Sequence, residues 1–559
     1  MTLETTFWEH AVIYQVYPRS FREIRSDTYR GEGSIAGITD KLSYLQKLGV
    51  DAVWLSPFYP SPMNDNGYDV MDYMAVDDRY GTLDDFRELM RQASERGMKI
   101  MVDFVPNHTS DQHPWFLESA GSRDNSKADW YIWRDAKPDG SVPNNWASVF
   151  SLLQLARRAA GELDVPEGEP TPPLSAWKWH EGRGQYYLHT FAESQPDLDW
   201  SNPAVQAAMT EAMRFWIDLG VDGFRIDAVN HIGKNLSLAD DPPNPDYHEG
   251  GNPYDQLAHV NSANHKTLYD YLRIMTGVFD EPAYHERDLY MIFETYVEQE
   301  LLDAINAIAP GRAAAFNFET MNAAWNAQAR AGIVEQYLQH LPTGSVPNYV
   351  NGNHDNTRIA SRLGRDAAMA AAVFNATLPG QMYIYQGEEA NWLDGHVAPE
   401  MIDDTLGGRD PERTPMAWNE SEFGGFSKVQ PWLPVDDDHK AHSIAAQWHD
   451  PSSSVNRYRM LLSLRRTLPA LRERATEVLA TSQPDTVLAY RRGETADVTI
   501  AVIINMSDQT QQVDVLHTET AKGTVIFSSL HSGRIDHAVS LRELELAAHE
   551  AVIVEIHHS

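Results

Sequence analysis

The sequence of 559 residues contains no cysteine. Disulfide bridges, thiol nucleophiles and zinc–thiolate sites are therefore excluded. Basic residues are scarce as well, because 45 lysines and arginines stand against 80 aspartates and glutamates, which gives a formal net charge of −35. A surface this acidic repels phosphate backbones and anionic lipids, so we expect neither nucleic acid nor a membrane as a partner. The composition favours a soluble protein that binds a neutral or cationic partner.

Apolar segments of the kind that cross a membrane are also missing. Residues 1–6 carry neither the basic region nor the apolar run of a secretory signal. The stretch 367–387 has no charged residue, but it contains Asn375, Pro379 and Gly380. Its pattern predicts a buried helix followed by a buried strand rather than a membrane span. We therefore expect a cytoplasmic protein.

Short β-rich runs recur along the chain, with amphipathic helical stretches between them. This alternation predicts parallel βα units of an α/β protein, and eight such units indicate a closed (β/α)8 TIM barrel. An open doubly wound sheet is the alternative, but no glycine-rich dinucleotide motif follows the first run. The eight runs are residues 12–17, 52–56, 100–105, 223–228, 289–295, 314–319, 347–351 and 382–386.

The spacing of these runs predicts three domains. Residues 1–104 and 187–473 are assigned to the barrel, and residues 105–186, which follow the third strand, to an inserted subdomain. The tail, residues 474–559, alternates in β fashion and is predicted to be an antiparallel β-sandwich. The inserted subdomain and two further long loops, 231–266 and 390–450, would lie at the carboxyl ends of the strands, where barrel enzymes carry their sites.

Charged side chains follow several of the predicted strands. Alternation along the fourth run places Arg225 and Asp227 on one side of the strand, and the guanidinium would keep Asp227 ionised, as a nucleophile requires. Glu294 follows an apolar run, where burial favours the protonated form that a general acid needs. Two such carboxylates are the equipment for cleaving glycosidic bonds. The sequence has no phosphate loop, zinc-protease helix or nucleophile elbow to suggest other chemistry.

These strand-end residues lie within sequence motifs by which the chain resembles the α-amylase superfamily of retaining glycosidases (glycoside hydrolase family 13). Within that superfamily it resembles the oligo-1,6-glucosidase and α-glucosidase branch. The resemblance covers nearly the whole chain, and the motifs occur in the family's order. They are residues 103–108 (DFVPNH), 195–198 (QPDL), 223–227 (GFRID), Glu294, residues 353–355 (NHD), 387–389 (GEE) and 413–416 (RTPM).

The resemblance implies a role for each site residue. Asp227 is then the nucleophile, Glu294 the general acid/base, and Asp355 the carboxylate that distorts the sugar and holds its hydroxyls. The residues implied to bind the same glucose are His108, Arg225 and His354. Those implied to close the non-reducing end of the pocket are Tyr68 and Asp69, with Arg409 paired to Asp69, and those implied to form its aromatic wall are Phe150 and Phe191.

The implied function is that of an exo-acting retaining α-glucosidase, which releases glucose from the non-reducing end of short α-glucosides. Ala228 directly follows the nucleophile. The resemblance implies valine at this position in relatives that prefer α-1,6 bonds, so we expect this protein to prefer α-1,4 links. A transglucosidase or sugar isomerase on the same site is the first alternative. A catalytically inactive transporter subunit and a starch-cleaving enzyme with an open groove are the others.

Two segments depart from the family's pattern. Many relatives bind a divalent cation in the loop that corresponds to residues 22–34, but here arginine and serine stand where carboxylates are required. We therefore expect no structural Ca²⁺ or Mg²⁺ and no cofactor. Residues 151–174 form an insertion whose first half is predicted to be a short amphipathic helix. This insertion is either a surface decoration or a lid or subunit contact beside the pocket.

Overall fold

The computed structural model describes residues 7–25, 31–166, 169–297, 299–494, 498–516, 522–530 and 532–557. Each of the eight predicted runs forms a strand, and the eight strands make one sheet whose paired strands run parallel. The strands are β1 (Val12–Val16), β2 (Ala52–Leu55), β3 (Lys99–Phe104), β4 (Gly223–Ile226), β5 (Tyr290–Phe293), β6 (Ala313–Ala315), β7 (Asn348–Val350) and β8 (Gln381–Tyr385). The order β7-β8-β1-β2-β3-β4-β5-β6 confirms the (β/α)8 barrel.

The barrel closes between β6 and β7 through the side chains of Asn348 and of Thr320, whose hydroxyl bonds to both backbone groups of Val350. Asn348 Nδ2 donates to the carbonyl oxygen of Ala315 over 2.8 Å, and Asn348 Oδ1 accepts from the backbone amide of Asn317 over 2.8 Å. The carboxamide thus offers the same donor and acceptor that a peptide group offers in a ladder. Inside the barrel, apolar side chains such as Trp54 and Phe316 fill the space between the strands.

The helices between the strands begin and end where local chemistry favours it. Ser34 caps the helix Ile35–Leu48 by accepting from the amide of Gly37, and Gly49, at φ 109°, ends it in the left-handed region. The helices are Pro18–Phe21, Ile35–Leu48, Leu83–Glu95, Pro114–Gly121, Leu153–Ala159, Pro203–Asp218, Leu268–Gly277, Gln299–Asn306, Glu319–Asn322, Ala327–Gly332, the π-helical Ile333–Tyr337, Leu338–His340, Ile359–Leu363, Arg365–Thr377, Asp437–Ala441, Ile444–Trp448 and Ser454–Thr467.

The uncharged stretch 367–387 folds as predicted, into the buried helix Arg365–Thr377 and strand β8. In the ranges that the structure describes, no helix has the length and apolar character needed to cross a membrane.

The inserted subdomain contains a small antiparallel sheet of the strands Trp133–Arg134, Gln185–Leu188 and Trp177–His180. The strand Gln185–Leu188 runs across the boundary predicted at residue 186. Trp146 and Trp177 are buried and stack on each other, so they belong to the core of the subdomain. The insertion 151–174 contains the predicted short helix, Leu153–Ala159.

The C-terminal region is an antiparallel β-sandwich, as predicted. The strands are β9 (Thr476–Leu479), β10 (Val487–Arg492), β11 (Thr499–Asn505), β12 (Gln511–Val513), β13 (Lys522–Ser528), β14 (Ala538–Ser540), β15 (Leu544–Leu546) and β16 (Ala551–Ile556). The larger sheet has the order β9-β10-β11-β16-β13-β14, and β12 pairs with β15 in a second sheet. Apolar side chains of both sheets meet in one core, for example Ile503 and Leu546.

Candidate active site

Three carboxylates meet around one arginine at the carboxyl ends of β3, β4 and β5. Arg225 Nη1 lies 2.8 Å from Asp103 Oδ1 and 2.7 Å from Asp227 Oδ1. Its Nη2 lies 2.8 Å from Glu294 Oε1. The arginine side chain is only 2% exposed, and parallel strands end at the same edge of the barrel. The predicted nucleophile and the predicted acid therefore contact the same guanidinium.

The charge balance of this cluster favours proton retention, because three carboxyl groups share a single guanidinium. Burial raises the pKa of Asp227 well above its usual value, and Arg225 opposes this shift without cancelling it. Burial also raises the pKa of Asp103 to about 6, again against the effect of Arg225. The sequence predicts an Asp227 kept ionised by its arginine. Arg225 does lower the pKa of Asp227, but burial, together with the neighbouring Glu294 and Asp103, raises it by more.

Asp355, which follows β7, lies in the opposite electrostatic setting. Arg413 Nη2 is 2.6 Å and Arg409 Nη1 is 3.2 Å from its Oδ1, and His354 Nε2 is 3.1 Å from its Oδ2. Burial works to raise the pKa of Asp355, but the guanidinium groups of Arg409 and Arg413 outweigh it and hold the pKa well below its usual range. Asp355 is therefore an ionised acceptor for hydroxyl groups.

Tyr68 and His354 link the two groups of charges. The tyrosine hydroxyl lies 2.7 Å from His354 Nε2 and donates to Asp103 Oδ2 over 3.2 Å. The two rings stack with their centroids 5.3 Å apart and their planes within 4°. Burial lowers the pKa of His354 well below its usual value, so the ring is neutral. Gln15 Nε2 lies 2.7 Å from His354 Nδ1, the ring nitrogen that does not face Tyr68, and this contact fixes the orientation of the ring.

The partner of Arg409 is Asp65, which corrects the predicted pairing with Asp69. Arg409 Nη2 lies 2.7 Å from Asp65 Oδ1, and Arg409 Nε lies 2.6 Å from Asp404 Oδ2. Asp69 instead accepts from the Ser61 hydroxyl and from the backbone amides of Asn64 and Asp65. Asp69 thus stabilises the turn that carries Asp65, and Asp65 is the carboxylate that reaches the site.

The predicted aromatic wall lies beside these charges. The rings of Phe150 and Phe191 are 6.1 Å apart between centroids, and Arg409 packs over Phe150 at 5.9 Å. Phe191 also contacts His108, with 5.1 Å between the ring centroids. Gln195 Nε2 lies 3.0 Å from His108 Nε2 and donates to Asp65 Oδ2 over 2.9 Å. Every residue that the resemblance implies for the site, except Asp69, thus belongs to one contiguous set of contacts.

Ala228 has an unusual backbone conformation for a residue with a side chain. Its φ of 44° and ψ of 41° lie in the left-handed region. This conformation directs its amide to Glu294 Oε2, to which it donates over 2.9 Å. The residue after the predicted nucleophile therefore positions the predicted acid.

Lys234 joins the barrel to the inserted subdomain. Its ammonium lies 2.8 Å from Asn107 Oδ1 and 2.9 Å from Asp197 Oδ2, and it also donates to the carbonyl of His231. Asn107 follows β3, and Asp197 lies on the chain returning from the subdomain. The lysine and the aspartate side chains are 2% and 0% exposed. This buried pair fixes the loops that carry His108 and Asp227.

Several of the site's contributors were not assigned from the sequence, among them Asp65, Asp103, Lys234 and Arg413. Asp103 and Arg413 lie within recognised motifs, so the motifs themselves could have indicated them. Asp65 lies three residues before Tyr68, in a loop with two acidic candidates, and nothing in one sequence distinguishes them. Lys234 lies in a loop without a recognised pattern.

A cation site is not apparent in the described ranges, where no three histidine, aspartate or glutamate side chains group so as to hold a metal ion. The segment considered for a cation, residues 22–34, includes residues 26–30, which lie outside the described residues. The expected absence of Ca²⁺ or Mg²⁺ there stays a prediction.

A cavity of about 1150 Å³ lies beside the charged cluster. It is lined by Thr295 and Tyr296, which directly follow Glu294, and by Asn317 and Phe318. Tyr296 is 51% exposed and stacks on Phe318 with 4.5 Å between centroids. Thr295 Oγ1 and Asn317 Nδ2 are buried without a hydrogen-bond partner in the described part of the chain. The exposed aromatic face of Tyr296 in this cavity suits the apolar face of a sugar ring.

Comparisons with known proteins agree with this geometry. The alpha amylase catalytic domain matches residues 15–474. A probable alpha-glucosidase of Rhizobium meliloti (strain 1021) is 36% identical over 563 residues, covering 96% of this chain and 95% of the relative. An oligo-1,6-glucosidase of Parageobacillus thermoglucosidasius is 33% identical, covering 99% and 100%. The crystal structure of the alpha-glucosyl transfer enzyme XgtA superposes with a TM-score of 0.86 at 34% identity, covering 99% of this chain and all of that one.

The family match spans well over half of the chain, and these relatives cover almost all of it. The site contains the family's motifs in one place, at the carboxyl ends of the barrel strands. The chain therefore belongs to the α-amylase family, glycoside hydrolase family 13, and is an enzyme of that family.

Proposed function

We propose that the protein is an exo-acting, retaining α-glucosidase that releases one glucose at a time from the non-reducing end of short α-glucosides. The observation that carries this proposal is the contact of one guanidinium, that of Arg225, with both Asp227 and Glu294. Two carboxyl groups on one guanidinium favour the short separation of retaining enzymes, ~5–5.5 Å, over the ~6.5–9.5 Å of inverting ones.

In the proposed reaction, Asp227 attacks the anomeric carbon while Glu294 protonates the leaving oxygen. The glycosidic bond breaks, and a covalent glucosyl–enzyme ester forms. Glu294, now ionised, takes a proton from water, and the resulting nucleophile breaks the ester and frees Asp227. The cycle starts with Asp227 ionised and with one proton of the cluster around Arg225 on Glu294. Contact with Arg225 favours this state, whereas burial, which raises the pKa of Asp227, opposes it.

The exo mode is supported by the charged network at the other end of the site. Arg409 bridges Asp65, Asp355 and Asp404, and Phe150 packs against the same guanidinium. Such a network offers acceptors and donors to the hydroxyls of a terminal sugar. Ion pairs that join Asp65, Asp355 and Asp404 through Arg409 would close the pocket behind that sugar, which argues against an open groove for starch.

Preference for α-1,4 over α-1,6 links is proposed from Ala228, whose side chain is small and whose amide contacts Glu294. A larger side chain there would press on the second sugar of an α-1,4 link, whereas an α-1,6 link has an extra rotatable bond and can turn away. A contact of one or two methyl groups is worth ~1–3 kcal/mol, roughly 10–200-fold in discrimination.

Glucosyl transfer to another sugar is the second candidate function. The cavity beside Glu294, with the exposed ring of Tyr296, gives space for an acceptor in place of water. XgtA, a glucosyl transfer enzyme, shares the fold over the full length of the chain. Transfer and hydrolysis use the same glucosyl–enzyme and differ only in what attacks it.

The decisive experiment is incubation with maltose, isomaltose, sucrose and starch, with the products identified and the first-formed anomer read by NMR. We expect α-glucose as the first product from maltose, little attack on starch, and transfer products only at high maltose. Asp227→Asn should abolish turnover, and Glu294→Gln should retain activity on substrates with good leaving groups. β-Glucose as the first product would overturn the retaining mechanism.

A further inference from the structure

The end of the barrel opposite the active site carries a small cavity with an excess of positive charge. The cavity has a volume of about 180 Å³ and lies at the start of β1, where Val12 lines it. Its charged and titratable lining residues are His10, Asp51, Arg465, Arg466 and Arg472. Three guanidinium groups and one imidazole therefore face a single carboxylate, in a protein whose net charge is −35.

The single carboxylate, that of Asp51, already has hydrogen-bond partners within the protein. Asp51 accepts from Arg466 Nη2 over 2.8 Å and from the amide of Val12 over 2.9 Å. Arg465 has no carboxylate partner in the described ranges, and its Nη1 donates to the carbonyls of Ala376 and Leu378 over 2.7 and 2.9 Å. The positive charge of Arg465 is thus held by backbone oxygens alone.

Two buried polar atoms at this cavity lack partners among the residues that the structure describes. Arg465, which is 4% exposed, leaves its Nε without a hydrogen bond, and so does His10 with its Nδ1. The side chain of Arg472, which is exposed, makes no hydrogen bond to the described part of the chain. Unpaired guanidinium donors of this kind match the oxygens of a phosphate group.

Burial and the neighbouring positive charges act together on the titratable groups. Burial, with Arg465 and Arg472, lowers the pKa of His10 to about 4. Burial, with Arg492, lowers the pKa of Arg465 to about 10. Burial is the larger cause of both shifts, and the neighbouring guanidinium groups add to it, while Asp51 opposes the shift of Arg465. The distant acidic surface is screened beyond about 8 Å.

We propose that this cavity binds a phosphate group through His10, Arg465 and Arg472. Its volume exceeds that of one water molecule, about 30 Å³, several-fold, so a tetrahedral oxyanion fits. A second cavity of about 480 Å³ shares His10 and Arg472 with it and is also lined by Arg474 and Val346. The phosphate of a small phosphate ester occupies the first cavity and its organic part the second; inorganic phosphate occupies the first alone.

The test measures thermal unfolding of the full chain in inorganic phosphate and in chloride at equal ionic strength. We expect a saturable rise in Tm of about 1–2 °C in phosphate. Arg472→Ala, which removes an exposed side chain, should weaken the apparent affinity for phosphate at least tenfold. Arg542→Ala, which removes an exposed arginine of the C-terminal domain, is the matched control and should behave as the wild type.

No rise in Tm, or an equal rise in Arg472→Ala, would overturn the proposal. Glycerol 3-phosphate then distinguishes the two sources of the phosphate group. Tighter binding than inorganic phosphate, with the gain lost in Arg474→Ala, assigns the site to phosphate esters. Equal affinities assign it to free phosphate. The readout is independent of glucosidase activity, so it stands whether or not the proposed function holds.

Discussion

The backbone amide of Ala228 donates to Glu294 Oε2 over 2.9 Å, so one residue connects the nucleophile to the acid. Ala228 follows Asp227 directly, and its φ of 44° turns its amide toward β5. The side chain of this residue is therefore placed by the same backbone conformation that positions the acid. A change of residue type at position 228 acts on both the bond that is cut and the group that protonates it.

Ala228→Val should shift the preference from maltose toward isomaltose. We expect the ratio of kcat/KM for maltose to that for isomaltose to fall by roughly 10–200-fold. Valine is also strained at a positive φ, so activity on both sugars should drop. The strain affects both substrates alike and cancels in the ratio. Ala228→Gly, which relieves the strain and adds no bulk, should keep the wild-type preference. A wild type that already favours isomaltose would contradict the assignment.

Asp65→Asn and Asp69→Asn should separate the sugar-binding carboxylate from the structural one. Asp65→Asn leaves Arg409 with one fewer partner, and loss of such a charge-assisted contact costs ~2–5 kcal/mol, so kcat/KM for maltose should fall by at least about 30-fold. Asp69→Asn keeps an acceptor for Ser61 and should reduce activity less, while lowering the Tm. A larger activity loss in Asp69→Asn at unchanged Tm would refute this division.

Lys234→Met should destabilise the protein strongly, because it leaves the fully buried Asp197 without its cation. Breaking a buried ion pair on one side costs ~3–5 kcal/mol in free energy of unfolding. Urea unfolding measures the effect. Lys440→Met is the matched control, because Lys440 pairs with an almost fully exposed Asp437 and such pairs contribute little. Equal unfolding midpoints for the two variants would show that the buried pair contributes no more to the free energy of unfolding than the exposed one.

Glu412 should make stability depend on pH. Burial raises the pKa of Glu412 from 4.5 to about 8. The folded state therefore binds a proton that the unfolded state releases, so this group's contribution is fully present below pH 4.5 and is lost as the pH rises to 8. Between pH 5 and pH 8, the free energy of unfolding should fall by ~1–3 kcal/mol more in the wild type than in Glu412→Gln. Urea unfolding at both pH values checks this, and parallel curves would contradict it.

The barrel strands and the catalytic carboxylates are predictable from the sequence for a physical reason. Strands covered on both faces require continuous apolar, β-rich runs, and a charge that directly follows such a run needs a functional partner. Arg225, Asp227 and Glu294 are found in this way. The sequence does not predict which of these carboxyl groups hold a proton. Asp103 lies on another strand, and only the fold shows that it contacts the same guanidinium.

Loop residues are the harder part, and the choice between Asp65 and Asp69 shows why. The two carboxylates flank a turn in which Asn66, at φ 50°, and Gly67, at φ 105°, reverse the chain. The turn geometry decides which carboxylate points toward Arg409 and which folds back onto Ser61. Sequence spacing carries no information about that direction, and neither does residue type.

The closure of the barrel by side chains makes one junction different in kind from the rest. Seven junctions are backbone ladders, which almost any residue type can form. The eighth depends on the carboxamide of Asn348, bonded to Ala315 and to the amide of Asn317, and on the hydroxyl of Thr320, which donates to the carbonyl of Val350 and accepts from its amide. Closure of the barrel at this junction is therefore specific to residue type. Asn348→Leu removes the first pair of hydrogen bonds and leaves the second, so it weakens the start of this junction while every strand stays intact.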